Sequence, residues 1–245
     1  TATSTEEANL YLYDLKSKSF VSGYDPLVYS SDNNSYLGDV RSVDWNNDYI
    51  DDTLYFGINT GTAATPSGRL ARLRFDTVID TAWLTSNEWI SNATGGTLLN
   101  ASRTFLGAPI GVLDNEGTQW VYAGTGRLFV DADNAGKTQQ RFYGIQEPVD
   151  ASGVETLGTV SESSMENVTD IRVFTNYEVD KAGSTFQIPS GTTISNFNQL
   201  VDAVSHSTAG WYRNFTYNGV NPSGRNINAS VRFQETIFFT EYEPN

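Results

Sequence analysis

Apolar and polar residues alternate along short stretches of this chain, and only once do they follow a helical period. Residues 8–13, Ala-Asn-Leu-Tyr-Leu-Tyr, read as a half-buried strand. Residues 40–43, 53–57 and 69–75 predict further strands, the last with Leu70, Leu73 and Phe75 as its apolar positions. In the C-terminal third, residues 170–179, 184–188, 227–233 and 236–242 predict strands. Ile237, Phe238 and Phe239 run together there, as in a strand covered on both faces. Between these, Ile194, Phe197, Leu200, Val201 and Val204 fall on one face of a single short helix over 194–205.

A pattern recurs after roughly seventy residues. Leu37-Gly38-Asp39-Val40 leads to Val43-Asp44 and then Tyr55-Phe56-Gly57. Leu106-Gly107-Ala108-Pro109 leads to Leu113-Asp114 and then Val121-Tyr122-Ala123-Gly124. Arg69-Leu70 and Arg127-Leu128 look like matching starts of the next strand. Units near 37–75 and 106–145, each holding several strands, are the mark of a β-propeller or a related array. The expected fold is therefore all-β, a modified and partial propeller, with a double-sheet sandwich as the alternative.

Composition sharpens this picture. The 245 residues suffice for one large all-β domain or two small ones. Thirteen Tyr, 13 Phe and 5 Trp favour pleated, half-buried surfaces, and 21 Gly supply turns. A net charge of −14 argues against nucleic-acid binding, which needs a basic face, and is compatible with divalent cations. With no cysteine, disulfides and thiolate metal sites are excluded. No run approaches the ~18 apolar residues of a membrane span. The chain opens on Thr1-Ala2-Thr3 rather than Met and reads as a processed or trimmed product.

The sharpest chemical feature is the stretch from Val43 to Leu54. Oxygen-bearing side chains stand at alternate positions, Asp44, Asn46 and Asp48, with Asp52 further on and the Ile50 carbonyl between them. Such spacing in a tight turn converges on one hard cation, and oxygen donors with three carboxylates suit Ca²⁺. Tyr49 stands where an EF-hand-type loop has glycine, so another residue is expected to make the sharp turn. Tyr55 stands where that loop has its bidentate Glu, leaving Asp51, water or a neighbouring strand to complete the coordination. The alternative is a polar hairpin whose side chains cap their own backbone. Asp131-Ala132-Asp133-Asn134-Ala135-Gly136 reads as a hairpin turn or a second cation loop. Asp114-Asn115-Glu116-Gly117 reads as a turn without metal.

Enzymatic signals are sparse. The single histidine, His206, stands among serines at the end of the expected helix. No Gly-x-Ser-x-Gly elbow and no phosphate-cradling Gly-Lys-Ser/Thr loop occurs. Asp114 to Trp120 looks superficially like a sialidase turn, but its Asp-to-Gly spacing is one residue too long. The chain is therefore expected not to be an enzyme.

Three segments together resemble the C-terminal domain of PilY-type pilus biogenesis proteins. The first runs from Gly38-Asp39-Val40 through the acidic loop to Leu54-Tyr55-Phe56-Gly57 and Gly68-Arg69-Leu70-Ala71-Arg72-Leu73. The second is Trp120-Val121-Tyr122-Ala123-Gly124-Thr125-Gly126-Arg127 with Gln140-Arg141-Phe142-Tyr143-Gly144-Ile145. The third is Gly210-Trp211-Tyr212, Gly224-Arg225 and Ile237-Phe238-Phe239-Thr240-Glu241-Tyr242-Glu243-Pro244, which the resemblance makes a closing blade over 210–244. The resemblance implies a propeller at the tip of a type IV pilus, exported through the periplasm to the cell surface. Implied partners are minor pilins or other pilus subunits, a host or abiotic surface, and a second chain or segment that completes the ring. Bound calcium would be coupled to pilus extension and retraction, on ligands Asp44, Asn46, Asp48, Ile50 and Asp52. No Arg-Gly-Asp tripeptide supports an integrin contact, and the chain is shorter than a full-length member. The runner-up reading is a secreted carbohydrate-binding or glycosidase-like β protein that uses Trp and Tyr as sugar platforms. A third is a structural subunit of a surface filament.

Overall fold

The computed structural model describes residues 7–21, 27–28, 35–62, 65–75, 94–181, 186–187, 193–205, 209–217, 219–220, 222–234 and 236–244. Its frame is two five-stranded sheets. In the first, Tyr36–Leu37 and Arg41–Val43 both pair with Thr53–Gly61, which pairs with Pro66–Arg74 and then Thr94–Leu99, all antiparallel. In the second, Ile110–Leu113, Gln119–Gly124 and Arg141–Gln146 form a meander, Gly210–Asn214 adds to it, and Glu166–Asn167 lies parallel at the edge. Val43 and Leu113 end equivalent first strands, so the recurrence in the sequence corresponds to a repeated meander.

The core lies between the sheets. Tyr55, Leu70 and Leu99 from the first meet Val121, Tyr143 and Ile145 from the second, with Phe105 between them. Full burial of each such side chain stabilises the fold by about 1.5–3 kcal/mol. The opposite face of the first sheet carries Phe56, Ile58, Ala71 and Leu73, covered by Ala8 and Leu10. The strands there are therefore apolar at both parities, which explains their unbroken hydrophobic runs.

Residues 104–106 cross between the sheets at close range. A Cβ on Gly38 or Gly57 would overlap the Phe105 carbonyl oxygen, so glycine is required for the approach. Asn59 fixes the crossing by donating Nδ2–H to the Phe105 carbonyl (2.8 Å) and accepting the Phe105 amide on Oδ1 (2.7 Å). The C-terminal segment crosses the second sheet in the same way, where Gly124 leaves room for the Asn226 side chain.

Several expectations from the sequence are corrected. Arg127-Leu128 starts no strand; the third strand of the second sheet is Arg141–Gln146, and a helical turn, Asp131–Asn134, precedes it. The cause is Asp133, whose Oδ2 accepts the amides of Phe129 (2.7 Å) and Val130 (3.1 Å) while Oδ1 pairs with Arg127 (3.0 Å). Gly210–Asn214 is the fourth strand of this second sheet, set by Tyr212 opposite Tyr143 and by the Arg141 guanidinium over the Tyr212 ring at 4.0 Å. Residues 170–179 are not one strand but part of a hairpin, Ile171–Val173 with Val179–Lys181. Tyr177 turns it at φ 63°, and Asn176 accepts the Glu178 amide. The final strands are a short hairpin, Val231–Phe233 with Thr236–Phe238. Phe238 is 57% exposed while Phe239 stacks on Phe142 at 3.8 Å, so Ile237 to Phe239 are not covered on both faces. The helix spans Phe197–Ser205; Asn196 caps it by accepting the Gln199 amide, and Ile194 belongs to a strand paired with Phe186–Gln187. His206 lies outside the described residues.

The turn at Asp114 joins two strands of the second sheet as the sequence implied. Oδ1 accepts the Glu116 (2.9 Å) and Thr118 (2.8 Å) amides, and Oδ2 accepts the Trp120 indole N–H (2.9 Å). Burial pushes this carboxyl up, but the hydrogen bonds outweigh it and hold it below its ordinary value. A depressed folded value means its stabilisation is present above the unfolded value, ~3.9, and disappears as pH falls below it. Urea denaturation from pH 7 to 3 should show a steeper acid loss in the native protein than in Asp114→Asn.

Candidate metal centre

The acidic loop lies between Arg41–Val43 and Thr53–Gly61, two strands of the first sheet. Within it, Asp44 accepts the amides of Asp48 (Oδ1, 3.3 Å) and Tyr49 (Oδ2, 2.8 Å). Asn46 accepts the Asp48 amide (2.9 Å), and Asp48 Oδ1 accepts the Ile50 amide (2.8 Å). The chain reverses at Asn47 (φ 60°) and at Tyr49 itself (φ 70°). The expectation that another residue replaces Tyr49 in the sharp turn is thus incorrect. Its side chain is 98% exposed, so only the backbone conformation costs energy, and the amide bond to Asp44 offsets that.

Three of the five anticipated ligand residues, Asp44, Asn46 and Asp48, gather over the same short run of amides. Asp52 turns to the base of the loop, where Oδ2 accepts the Trp45 amide at 2.6 Å. Among the described residues, no three His, Cys, Asp or Glu side chains converge as a metal-binding group. Within the loop itself, residues 44–52, one buried side-chain oxygen lacks a hydrogen-bond partner among the described residues: Asp48 Oδ2, which is shielded from solvent. A buried carboxylate oxygen of this kind is costly unless something positive meets it. That fits a hard cation, with Asp44, Asn46, Asp48 and the Ile50 carbonyl as the residues to hold it.

A second finding was not anticipated from the sequence. Trp45, in the middle of the loop, is buried, and its Nε1–H reaches the Tyr55 hydroxyl (3.2 Å). Tyr55 donates to Glu147 Oε1 (2.5 Å), and Glu147 Oε2 pairs with the Arg72 guanidinium (2.8 Å). Arg72 also donates to the Thr156 (3.0 Å) and Gly158 (2.8 Å) carbonyls. Arg74, which pairs with Glu155 at 3.1 Å, lies beside it. Burial pushes the Glu147 carboxyl up and the Arg72 guanidinium down, and each charge opposes the shift of the other. Burial and the adjacent Glu147 charge hold the Tyr55 phenol well above its ordinary value. A continuous hydrogen-bonded path therefore runs from the acidic loop into the contact between the sheets. The sequence signals were a Trp inside a polar loop and an Arg within a strand apolar at both parities.

The second acidic cluster, 131–136, is a structural clasp. Besides the bonds of Asp133 described above, the buried Arg225 guanidinium donates to the carbonyls of Arg127 (2.7 Å) and Asp133 (2.6 Å). The Gly224-Arg225 motif thus anchors the C-terminal segment to the second sheet.

These features define a class: an all-β, propeller-like stack of meander sheets with an acidic loop between two strands of one sheet. No protein-family model and no curated protein matches the chain. A solved structure does: the crystal structure of the Pseudomonas aeruginosa PilY1 C-terminal domain, with a TM-score of 0.58 and 17% sequence identity. The match covers 98% of this chain and 51% of that one, so this chain spans about half its length. The fold is PilY1-like.

Proposed function

We propose that this chain is a propeller-like module of a type IV pilus-tip factor that supports pilus biogenesis and surface attachment, with one calcium ion in the acidic loop. The observation that carries the pilus reading is the likeness in fold to the PilY1 domain along nearly the whole chain. The calcium reading is supported by the loop chemistry and by the unpartnered Asp48 Oδ2. When bound, the ion supplies positive charge to that oxygen and holds the loop closed. Asp44, Asn46, Asp48 and the Ile50 carbonyl would hold the ion, and Asp52, which accepts the Trp45 amide, would add a further carboxylate at the base of the loop. Minor pilins or other pilus subunits are the partners, with a second chain or segment completing the ring at the cell surface. The module binds and assembles rather than catalysing a reaction.

Calorimetric titration with calcium, on the native protein and on Asp44→Ala/Asp48→Ala, tests the metal. One saturable site in the native protein, absent in the variant, is expected. At a hundredfold excess over Kd, calcium should stabilise the fold by about 2.7 kcal/mol. Tryptophan emission should change during the same titration and change less in Trp45→Phe. Heat and emission unchanged in the native protein would reduce the loop to a self-capped turn. Purified minor pilins presented to the intact chain test the assembly reading, which fails if none binds.

A further inference from the structure

The outer face of the second sheet, turned away from the first, bounds an open groove of about 560 Å³ whose other wall is the Phe197–Ser205 helix. On the sheet side, Trp120 and Tyr122 are stacked with rings 6.3 Å apart. The Trp211 indole lies flat against Gly144, where a Cβ would come within 2.5 Å of its Cε2. Gly144 is thus what allows this aromatic floor. On the helix side, Leu200 and Val204 face the groove, yet no residue of the helix is buried, and Phe197 and Val201 stay 40% and 47% exposed. The helix packs through Leu200 and Ala203 beside Val179 and Ile194, and leaves Phe197 and Val201 along the open side of the groove.

The groove also carries a positive charge. Arg213 lines it, is exposed, and has neither a hydrogen bond nor an ion pair among the described residues. Arg72, Arg103, Arg141 and Arg225 are all held by carboxylates or carbonyls. The acid that shares the groove, Asp114, is occupied by two amides and the Trp120 indole. An unpartnered guanidinium beside an apolar, aromatic groove, in a protein of net charge −14, discriminates by charge. Polyanions are repelled by the whole molecule, neutral apolar solutes leave the cation unused, and a single negative charge on an apolar body satisfies both. The volume lies in the range of small-molecule sites, roughly 300–1,000 Å³, with mostly apolar walls and few polar groups.

We propose that this groove binds a small amphipathic carboxylate of the medium-chain fatty-acid type. The tail lies between the Trp120–Tyr122–Trp211 floor and Leu200 and Val204, and the carboxylate sits on Arg213. The site is independent of the acidic loop.

The test is calorimetric titration of the intact protein with decanoate and with 1-decanol, both below their aggregation limits, with tryptophan emission as a second readout. Decanoate should bind at one site, and decanol about tenfold or more weaker, the size of a charge-assisted hydrogen bond. From octanoate to decanoate, affinity should rise about fourfold per methylene. Arg213→Ala should melt like the native protein, because the exposed Arg213 side chain makes no hydrogen bond or ion pair among the described residues, and should bind decanoate only as well as decanol. Val201→Asp, at a groove position that is 47% exposed, should lose both ligands while melting like the native protein. Three outcomes overturn the proposal: equal binding of acid and alcohol by the native protein, an unchanged decanoate affinity in Arg213→Ala, or no binding of either. A bilayer or a second copy as occupant is also decisive against it. The former appears as co-sedimentation with phosphatidylglycerol vesicles without decanoate binding, the latter as a concentration-dependent dimer that decanoate does not dissociate.

Discussion

Arg72→Met should destabilise the folded chain by about 3–5 kcal/mol, the penalty for stranding one member of a buried ion pair. Both Arg72 and Glu147 are almost fully removed from solvent, so losing the guanidinium leaves a carboxylate held by the Tyr55 hydroxyl and by the more distant Arg74 guanidinium at 3.8 Å. The Thr156 and Gly158 carbonyls lose their donors as well, which loosens the segment running back along the first sheet. Urea denaturation of the native chain, Arg72→Met, Glu147→Leu and the double variant forms a thermodynamic cycle. The double variant should lose clearly less than the sum of the two single ones, because it strands no charge. Strict additivity would mean that the pair is not coupled across the sheets.

The second large effect is expected at Asn59, which touches no charged group. Asn59→Leu retains volume but strands both the amide and the carbonyl of Phe105 in the core, at about 1–3 kcal/mol each. The total, roughly 2–6 kcal/mol, should appear as a lower urea midpoint. Exchange of the Phe105 amide proton should accelerate alongside it. A loss below about 1 kcal/mol would show that the crossing at 104–106 is held by packing alone, with Gly38 and Gly57 providing the fit.

Both residues were invisible to the sequence reading, for the same physical reason. Arg72 stands in Leu70-Ala71-Arg72-Leu73, where periodicity finds a strand but says nothing about a partner 75 residues away. Asn59 sits past the end of the expected strand, since its value depends on a backbone segment that arrives from elsewhere. The acidic loop was legible because its donors are neighbours in the chain, and their hydrogen bonds span five residues or fewer. Counting oxygen atoms, however, passed over Trp45, the residue that ties this loop to the core. The helix was found from its period, and the cap at Asn196 moved its start. The left-handed backbone at Tyr49 ran against local preference, because Asp44 and full exposure of the ring make it tolerable.

The amino-acid sequence by itself determined the all-β class, the repeated meander and the place of the acidic turn, since each follows from alternation and turn chemistry over a few residues. Only the tertiary structure decided that Gly210–Asn214 completes the second sheet after a long excursion, and that Arg72, Glu147, Tyr55 and Trp45 form one path. It alone made the helix and the aromatic face two walls of one open groove, with Arg213 beside them. Such pairings depend on burial and on which surfaces meet, and a strand edge or a buried charge accepts any partner of suitable shape and polarity. The choice among those partners is made by packing the whole chain.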